Sequence, residues 1–130
     1  MKAKKKARVV RTERGWPGHL CYVESCTFRR NTLVSCGRRK VVVSTVGNMR
    51  PRGEGKMQTI ALNRYYETMV FRAIYEKPYW EADVGREVPF DSPWALGEEA
   101  RNKETSDLDA NDMHERVVDE MVRVLGGSDG

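Results

Sequence analysis

The sequence predicts an α+β fold: an antiparallel β-sheet, a meander of about six strands, followed by two C-terminal helices. Short runs rich in β-branched and aromatic residues recur from residue 7 to residue 84. Turn segments divide them, with Gly37-Arg38-Arg39 and Glu76-Lys77-Pro78 the clearest. From residue 110 to 125 the apolar positions change to helical spacing. At 130 residues the chain is most simply one domain, with a basic N-terminal tail over 1–7 and a C-terminal tail over 126–130 expected to be flexible.

The first strand is expected over residues 7–12 and a second, interrupted one over 20–23, resuming at Thr27 and Phe28. Residues 32–36 and 40–46 form a hairpin about the glycine-bearing turn between them. The segment 48–56 holds Pro51, Gly53 and Gly55, a density that neither a helix nor an interior strand accepts, so it is expected to be an exposed, mobile loop. Strands follow at 57–62, 65–75 and 79–84. In the last of these Trp80, Ala82 and Val84 share one face, expected to be buried, and Tyr79, Glu81 and Asp83 share the wet one. Ser92 followed by Pro93 has the form of an N-cap and first-turn proline, which predicts a short helix through Trp94 and Leu96 ending near Asn102.

The final helix is expected over 110–125, capped by Asp109 or Asp107 and stopped by Gly126-Gly127. Met113, Val117, Val118, Met121, Val122 and Leu125 fill one half of its cylinder; Asp112, Glu115, Arg116, Asp119, Glu120 and Arg123 fill the other. Asn111 and His114 fall inside the apolar half near the N-terminus, where free backbone amides favour an anion. Two roles are open to them: satisfied polar groups of the core, or contacts to a ligand or a neighbouring subunit.

Charge is unevenly distributed. Residues 1–56 carry 15 Lys/Arg against 3 Asp/Glu, whereas 57–130 carry 8 against 16. Surfaces of opposite sign steer association, so self-assembly into a homo-oligomer is expected. No apolar run approaches the length of a membrane span, and the lysine-rich start lacks the apolar stretch of a secretory signal, which points to the cytoplasm. An odd number of cysteines, Cys21, Cys26 and Cys36, suits reduced thiols better than a disulfide framework.

Catalytic and metal-binding patterns are weak. His19, Cys21, Cys26 and Cys36 are acceptable zinc ligands by type, but only Cys21 and Cys26 are paired tightly, which favours buried structural cysteines. His114-Glu115 begins like a zinc-protease helix, yet Val118 occupies the place of the second histidine. Gly53-Glu54-Gly55-Lys56 lacks the first glycine and the magnesium-binding hydroxyl of a phosphate loop. No GxSxG elbow occurs, and Glu81 with Asp83 reads as a solvated strand face. No catalytic residue, cofactor or metal is therefore expected.

Binding is better supported. In Arg14-Gly15-Trp16-Pro17-Gly18-His19 and Phe28-Arg29-Arg30-Asn31-Thr32 an aromatic ring sits beside arginines, a combination that offers a stacking face to a base and bidentate donors to phosphate. The glycines and proline around Trp16 place it on a loop, and a partly buried core position is its competing role. Arg29, Arg30, Arg38, Arg39 and Lys40 with Trp16 also suit a nucleic-acid groove. The acidic second half and the lack of any RRM, KH or helix-turn-helix pattern make nucleic acid the less favoured partner.

The same two segments, with Val42-Val43-Ser44-Thr45-Val46-Gly47, Arg64-Tyr65-Tyr66-Glu67-Thr68-Met69, Tyr79-Trp80-Glu81-Ala82-Asp83-Val84 and Asn111-Asp112-Met113-His114-Glu115, form a set that resembles the phage-encoded Thoeris anti-defence proteins of the first class. The resemblance spans roughly residues 8–125 and leaves out the lysine tail. It implies a sponge acting in the host cytoplasm, which binds glycocyclic ADP-ribose made by a TIR-domain enzyme and holds it without cleavage. It also implies an antiparallel sheet with C-terminal helices, dimers grouped into hexamers, a ligand site at a dimer interface and, in some members, separate sites for cyclic trinucleotides. Carried onto this chain, Trp16 is the adenine-stacking residue. Arg29, Arg30, Phe90, Asn111 and His114 complete the expected ligand contacts, chosen for their chemistry.

Overall fold

The computed structural model describes residues 8–15, 19, 25–51, 55–101 and 103–127. Five strands run in chain order as an antiparallel meander: β1 (Val9–Glu13), β2 (Cys26–Cys36), β3 (Arg39–Met49), β4 (Tyr66–Glu76) and β5 (Tyr79–Glu87). A short sixth strand, β6 (Ala95–Leu96), adds to the edge of β4 beside Tyr66 and Glu67. One helix, α1 (Ser106–Gly126), lies across one face of the sheet. The α+β class and the six-stranded antiparallel sheet agree with the sequence, but among the described residues there is one α-helix where two were expected.

The β2–β3 hairpin closes on the pair Cys36↔Arg39 about a two-residue turn, one residue tighter than expected. Gly37 opens that turn at φ +62°, a conformation that favours glycine. On the helix side, Val34, Val43 and Val70 pack beneath Val117, Val118 and Met121. The other side is covered too: Val42, Val46 and Phe71 are buried, with the His19 ring tilted against Phe71 at 5.8 Å. Burial on both faces explains why β3 reads as an unbroken β-branched run and not as an alternation.

Gly47 sets the approach of the helix start. A Cβ there would stand 2.4 Å from the Tyr66 ring, so only glycine lets this tyrosine lie across β3. Its hydroxyl then reaches Ser106 Oγ at 2.7 Å and Asp107 Oδ1 at 2.6 Å, fixing the first turn of α1. The helix accordingly begins at Ser106, four residues before the expected start, with Thr105 at the cap position and Asp107 and Asp109 inside the first turn.

The expected helix after Ser92 does not form. Ser92 spends both its N–H and its hydroxyl on the Glu120 carboxylate (2.9 and 2.5 Å), so it caps nothing. The chain beyond it completes the sheet edge instead: Thr68 N–H donates to Trp94 O and Tyr65 N–H to Leu96 O, leaving only a 3-10 turn at Glu98–Ala100. Glu120, expected on the wet face of α1, is buried by that bond set, and its carboxyl sits below the ordinary range because the bonds from Ser92 and Asp91 outweigh burial.

Three other expectations change. Residues 57–62 make isolated bridges, Met49↔Gln58 and Ala61↔Arg64, rather than a strand, while Met57 and Ile60 are buried. Asn48 and Met49 belong to β3, not to the following loop. Val84 is exposed, because the β4–β5 register shifts between Phe71 and Ala73 and carries it off the sheet. The expected strand at 20–23, the expected tail over 1–7 and residues 128–130 of the expected tail over 126–130 lie outside the described residues, while Gly126 is the last residue of α1 and Gly127 its cap.

Candidate functional site

Three of the expected contacts, Arg30, Asn111 and His114, are brought together between β2 and α1. Arg30 donates to Asn111 Oδ1 at 2.8 Å, to Glu115 Oε2 at 2.7 Å and to Glu13 Oε1 at 2.5 Å. Arg11 adds a second cation on Glu115 at 2.8 Å. The bond from Arg11, joined by that from Arg30, lowers the Glu115 carboxyl to about 2 against the opposing effect of burial. Glu13 also lies below its ordinary value, since the Arg30 and Thr32 bonds outweigh its burial.

His114 is fully buried, with Nε2 2.7 Å from Thr32 Oγ1 and Nδ1 2.7 Å from Thr45 Oγ1. The direction of the protons follows. Thr32 gives its hydrogen to the Glu13 carboxylate at 2.7 Å, so it must accept from His114 Nε2–H. Nδ1 then accepts from Thr45, whose oxygen is left for Thr68 at 2.6 Å. Burial, reinforced by the Arg30 charge, drives the imidazole down to about 3, so it is neutral. Both ring nitrogens are occupied, and the cluster acts as a polar rivet between sheet and helix, the role of satisfied core groups.

Arg29 is separated from this cluster. Neighbouring strand residues point to opposite faces, and Arg29, opposite Val46, shares the side of His19, whereas Arg30, opposite Thr45, faces the helix. The two arginines cannot meet one ligand from one face.

The described part of the Arg14-to-His19 segment is pinned along that other side. Arg14 Nε donates to Asn31 Oδ1 at 2.9 Å, and its Nη1 bonds the Trp80 carbonyl. Among the described residues Arg14 Nη2 has no hydrogen-bond partner, and burial lowers the pKa of this arginine. His19 Nδ1 lies 2.9 Å from Ser44 Oγ, and Nε2–H donates to Glu67 Oε2 at 2.8 Å. The His19 and Glu67 side chains are only 2% and 5% exposed. Asn31, Ser44 and Met69 stand directly opposite one another across β2, β3 and β4, so both ends of the segment rest on a single rung of the sheet. Trp16, between them, lies outside the described residues.

That rung ends at a cleft. Between β5 and β6 the edge of β4 is bridged only by Thr68 N–H to Trp94 O and Val88 N–H to Val70 O. A cavity of about 330 Å³ opens there, with Arg64, Met69, Val88, Phe90 and Trp94 in its walls. The Arg64 guanidinium lies 4.2 Å over the Trp94 ring and 3.1 Å from Glu67 Oε1, while the other Glu67 oxygen holds His19. Burial alone would raise the Glu67 carboxyl; the bonds from His19 and Arg64 prevail and hold it below its ordinary value. Phe90, the remaining expected contact, is thus on a cleft wall, with part of its ring packed on the main core.

Arg64, Glu67 and Trp94 were missed as site residues by sequence reasoning. Arg64 and Glu67 flank the two tyrosines of a quoted motif, but nothing in that spacing reveals the link to His19. Trp94 was hidden by the helix signal of Ser92-Pro93. Cys26 and Cys36 are buried, the Cys26 thiol is raised by burial, and Cys21 lies outside the described residues. Among the described residues no group of His, Cys, Asp and Glu has the arrangement of a metal site. Among the described residues no helix is long and apolar enough to cross a membrane. Compared with known proteins, the chain matches no family model, no curated protein and no solved structure.

Proposed function

We propose that this protein is an immune-evasion protein of phage that binds and holds glycocyclic ADP-ribose, made by a host TIR-domain enzyme, without cleaving it, so that Thoeris defence is not triggered. The observation that carries the reading is the rung Asn31–Ser44–Met69: Arg14 and His19 are anchored on it, and its last residue, Met69, lines the cleft walled by Phe90, Trp94 and Arg64. Arg64, Phe90 and Trp94 share the cleft walls, a pairing of rings with a guanidinium that supports recognition of an aromatic, anionic ligand.

In this reading Trp16 and Phe90 supply stacking faces, and Arg64 supplies donors to the pyrophosphate. Arg29 stands on the same side of the sheet. Arg30, Asn111 and His114 act one step back, holding α1 against β2. A cleft of about 330 Å³ is at the small end for a ligand pocket, which suits completion by a second copy of the chain. Holding a signal intact needs no nucleophile; the affinity comes from enclosure and charge-assisted bonds.

Native mass spectrometry of the protein mixed with glycocyclic ADP-ribose tests the reading. The expected spectrum is an oligomer carrying the unaltered ligand mass. A monomer with no adduct at micromolar concentration rejects the proposal.

A further inference from the structure

One carboxylate stands in the wall of the cleft at the β4 edge without a role. Glu87 ends β5 directly opposite Phe71, so its side chain shares the face of the sheet that carries Glu67, Met69 and Phe71, and it lines the cleft together with Arg64, Phe90 and Trp94. The backbone that holds it is fixed on β4 by the bond from Val88 N–H to Val70 O at 2.7 Å. Arg86, one residue earlier, goes to the opposite face, where it lines the groove beside the end of α1 with Arg72 and Leu125.

Glu87 is exposed, and among the described residues it has neither an ion pair nor a hydrogen bond. Two features account for that. A carboxylate at such a place can take the N–H two residues on, as Asp83 takes that of Gly85 at 3.2 Å, but two residues beyond Glu87 stands Pro89, which has no N–H. Among the described residues that line the cleft Arg64 is the one cation, and its guanidinium is engaged by Glu67 Oε1 at 3.1 Å and by the Trp94 ring. Arg64 and Glu67 balance each other, so the charge of Glu87 is left over. A ligand bound through phosphate alone would meet that charge as a repulsion. The cleft suits a ligand that brings hydrogen-bond donors as well as phosphate.

We infer, resting on the proposed role of this cleft in holding the nucleotide signal, that Glu87 accepts hydrogen bonds from the two neighbouring hydroxyls of a ribose. It thereby determines that the cleft takes a ribonucleoside diphosphate in preference to a deoxyribonucleotide or a bare phosphate. A carboxylate offers two acceptor oxygens and no donor, which matches a pair of hydroxyls that both donate. An acidic side chain holds a ribose hydroxyl in the same manner in dinucleotide-binding folds. The adjoining walls fit the rest of such a ligand, with Phe90 and Trp94 as apolar faces for a ring and Arg64 as the donor to phosphate. Cation and anion come from different segments, one just before β4 and one at the end of β5, so the ligand is held in one orientation.

The test is isothermal titration calorimetry of the full chain and of Glu87→Ala with four ligands: glycocyclic ADP-ribose, ADP, 2′-deoxy-ADP and inorganic pyrophosphate. The parent is expected to prefer ADP to 2′-deoxy-ADP by about tenfold, and Glu87→Ala to lose most of that preference. The variant should bind glycocyclic ADP-ribose and ADP about tenfold more weakly. It should bind pyrophosphate about twofold more tightly, because the repulsion from the carboxylate is gone. Effects of opposite sign in one protein do not arise from misfolding, and circular-dichroism melting should be unchanged because the side chain is exposed. A variant that binds glycocyclic ADP-ribose as tightly as a binding-competent parent, or a parent that binds ADP and 2′-deoxy-ADP equally, overturns the inference and leaves the cleft as the nucleotide site. A parent that binds none of the four at about 1 mM rejects the nucleotide site and the inference together.

Discussion

His19 Nε2 stands 2.8 Å from Glu67 Oε2, and the other Glu67 oxygen holds the arginine that covers Trp94. One buried carboxylate thus ties the end of the Trp16 segment to the wall of the cleft. Both partners are nearly inaccessible, so the tie is protected from solvent competition. It is the physical link between two sequence motifs that lie 48 residues apart.

Glu67→Gln removes the charge and leaves His19 and Arg64 without their anion. Breaking such a buried pair costs about 3 kcal/mol, which should appear as a clear fall in melting temperature by differential scanning calorimetry. The sign with pH follows from the carboxyl being held below its ordinary value of 4.5 in the folded state. Its stabilisation is present in full above that value and is lost as pH falls through the lower folded-state value. The variant should therefore lose less stability than the parent on acidification below pH 4.5.

His114 gives a separate acid response. Its folded-state value of about 3 lies below the ordinary 6.5, so the unfolded chain binds one more proton between those limits. Stability is complete above pH 6.5 and falls with pH at a slope of about 1.4 kcal/mol per pH unit inside the window. Urea unfolding at several pH values from 7.5 to 5 measures the slope, and His114→Gln should flatten it. A parent protein equally stable at both ends of that range contradicts the neutral, buried assignment.

Tyr66 and Gly47 test the seating of the helix. Tyr66→Phe deletes the bonds to Ser106 and Asp107 and leaves the ring in place, a loss of about 1 kcal/mol. Gly47→Ala forces a methyl group into the Tyr66 ring and should cost more, about 2 to 3 kcal/mol. Chemical denaturation of the two variants checks the order, and a Gly47→Ala protein as stable as the parent would show that the ring can step aside.

Much of this fold was legible in the sequence, for identifiable reasons. β3 and α1 announce themselves because hydrophobic burial dictates residue type along the whole of each: Val41 to Val43 on one, Met113, Val117, Val118 and Met121 on the other. The helix at Ser92 failed because a local signal met a stronger tertiary demand. Glu120, 28 residues away, takes the serine's donors, and β4 needs partners for its edge amides. The site was legible only in its residue types. Arg29 and Arg30 look equivalent in sequence, and strand alternation alone sends them to opposite faces, while the Arg64–Trp94 stack depends on a chain reversal that no spacing encodes.

Trp94→Ala separates ligand binding from folding. The Trp94 carbonyl keeps its bond from Thr68, and the ring is partly exposed, so the fold should persist with a small change in melting temperature. Removing the aromatic wall should weaken glycocyclic ADP-ribose binding at least tenfold, equivalent to about 1.4 kcal/mol. Isothermal titration calorimetry reads both Trp94→Ala and Trp16→Ala. Parent-like affinity in a folded Trp94→Ala protein removes the cleft from the site.

Sequestration without cleavage is tested most directly by recovery of the ligand. The protein is mixed with glycocyclic ADP-ribose, free small molecules are removed by filtration, and the retained fraction is heat-denatured and analysed by liquid chromatography with mass spectrometry. The account predicts intact ligand, released only on denaturation. A hydrolysed product, or ligand found entirely in the first filtrate, contradicts it.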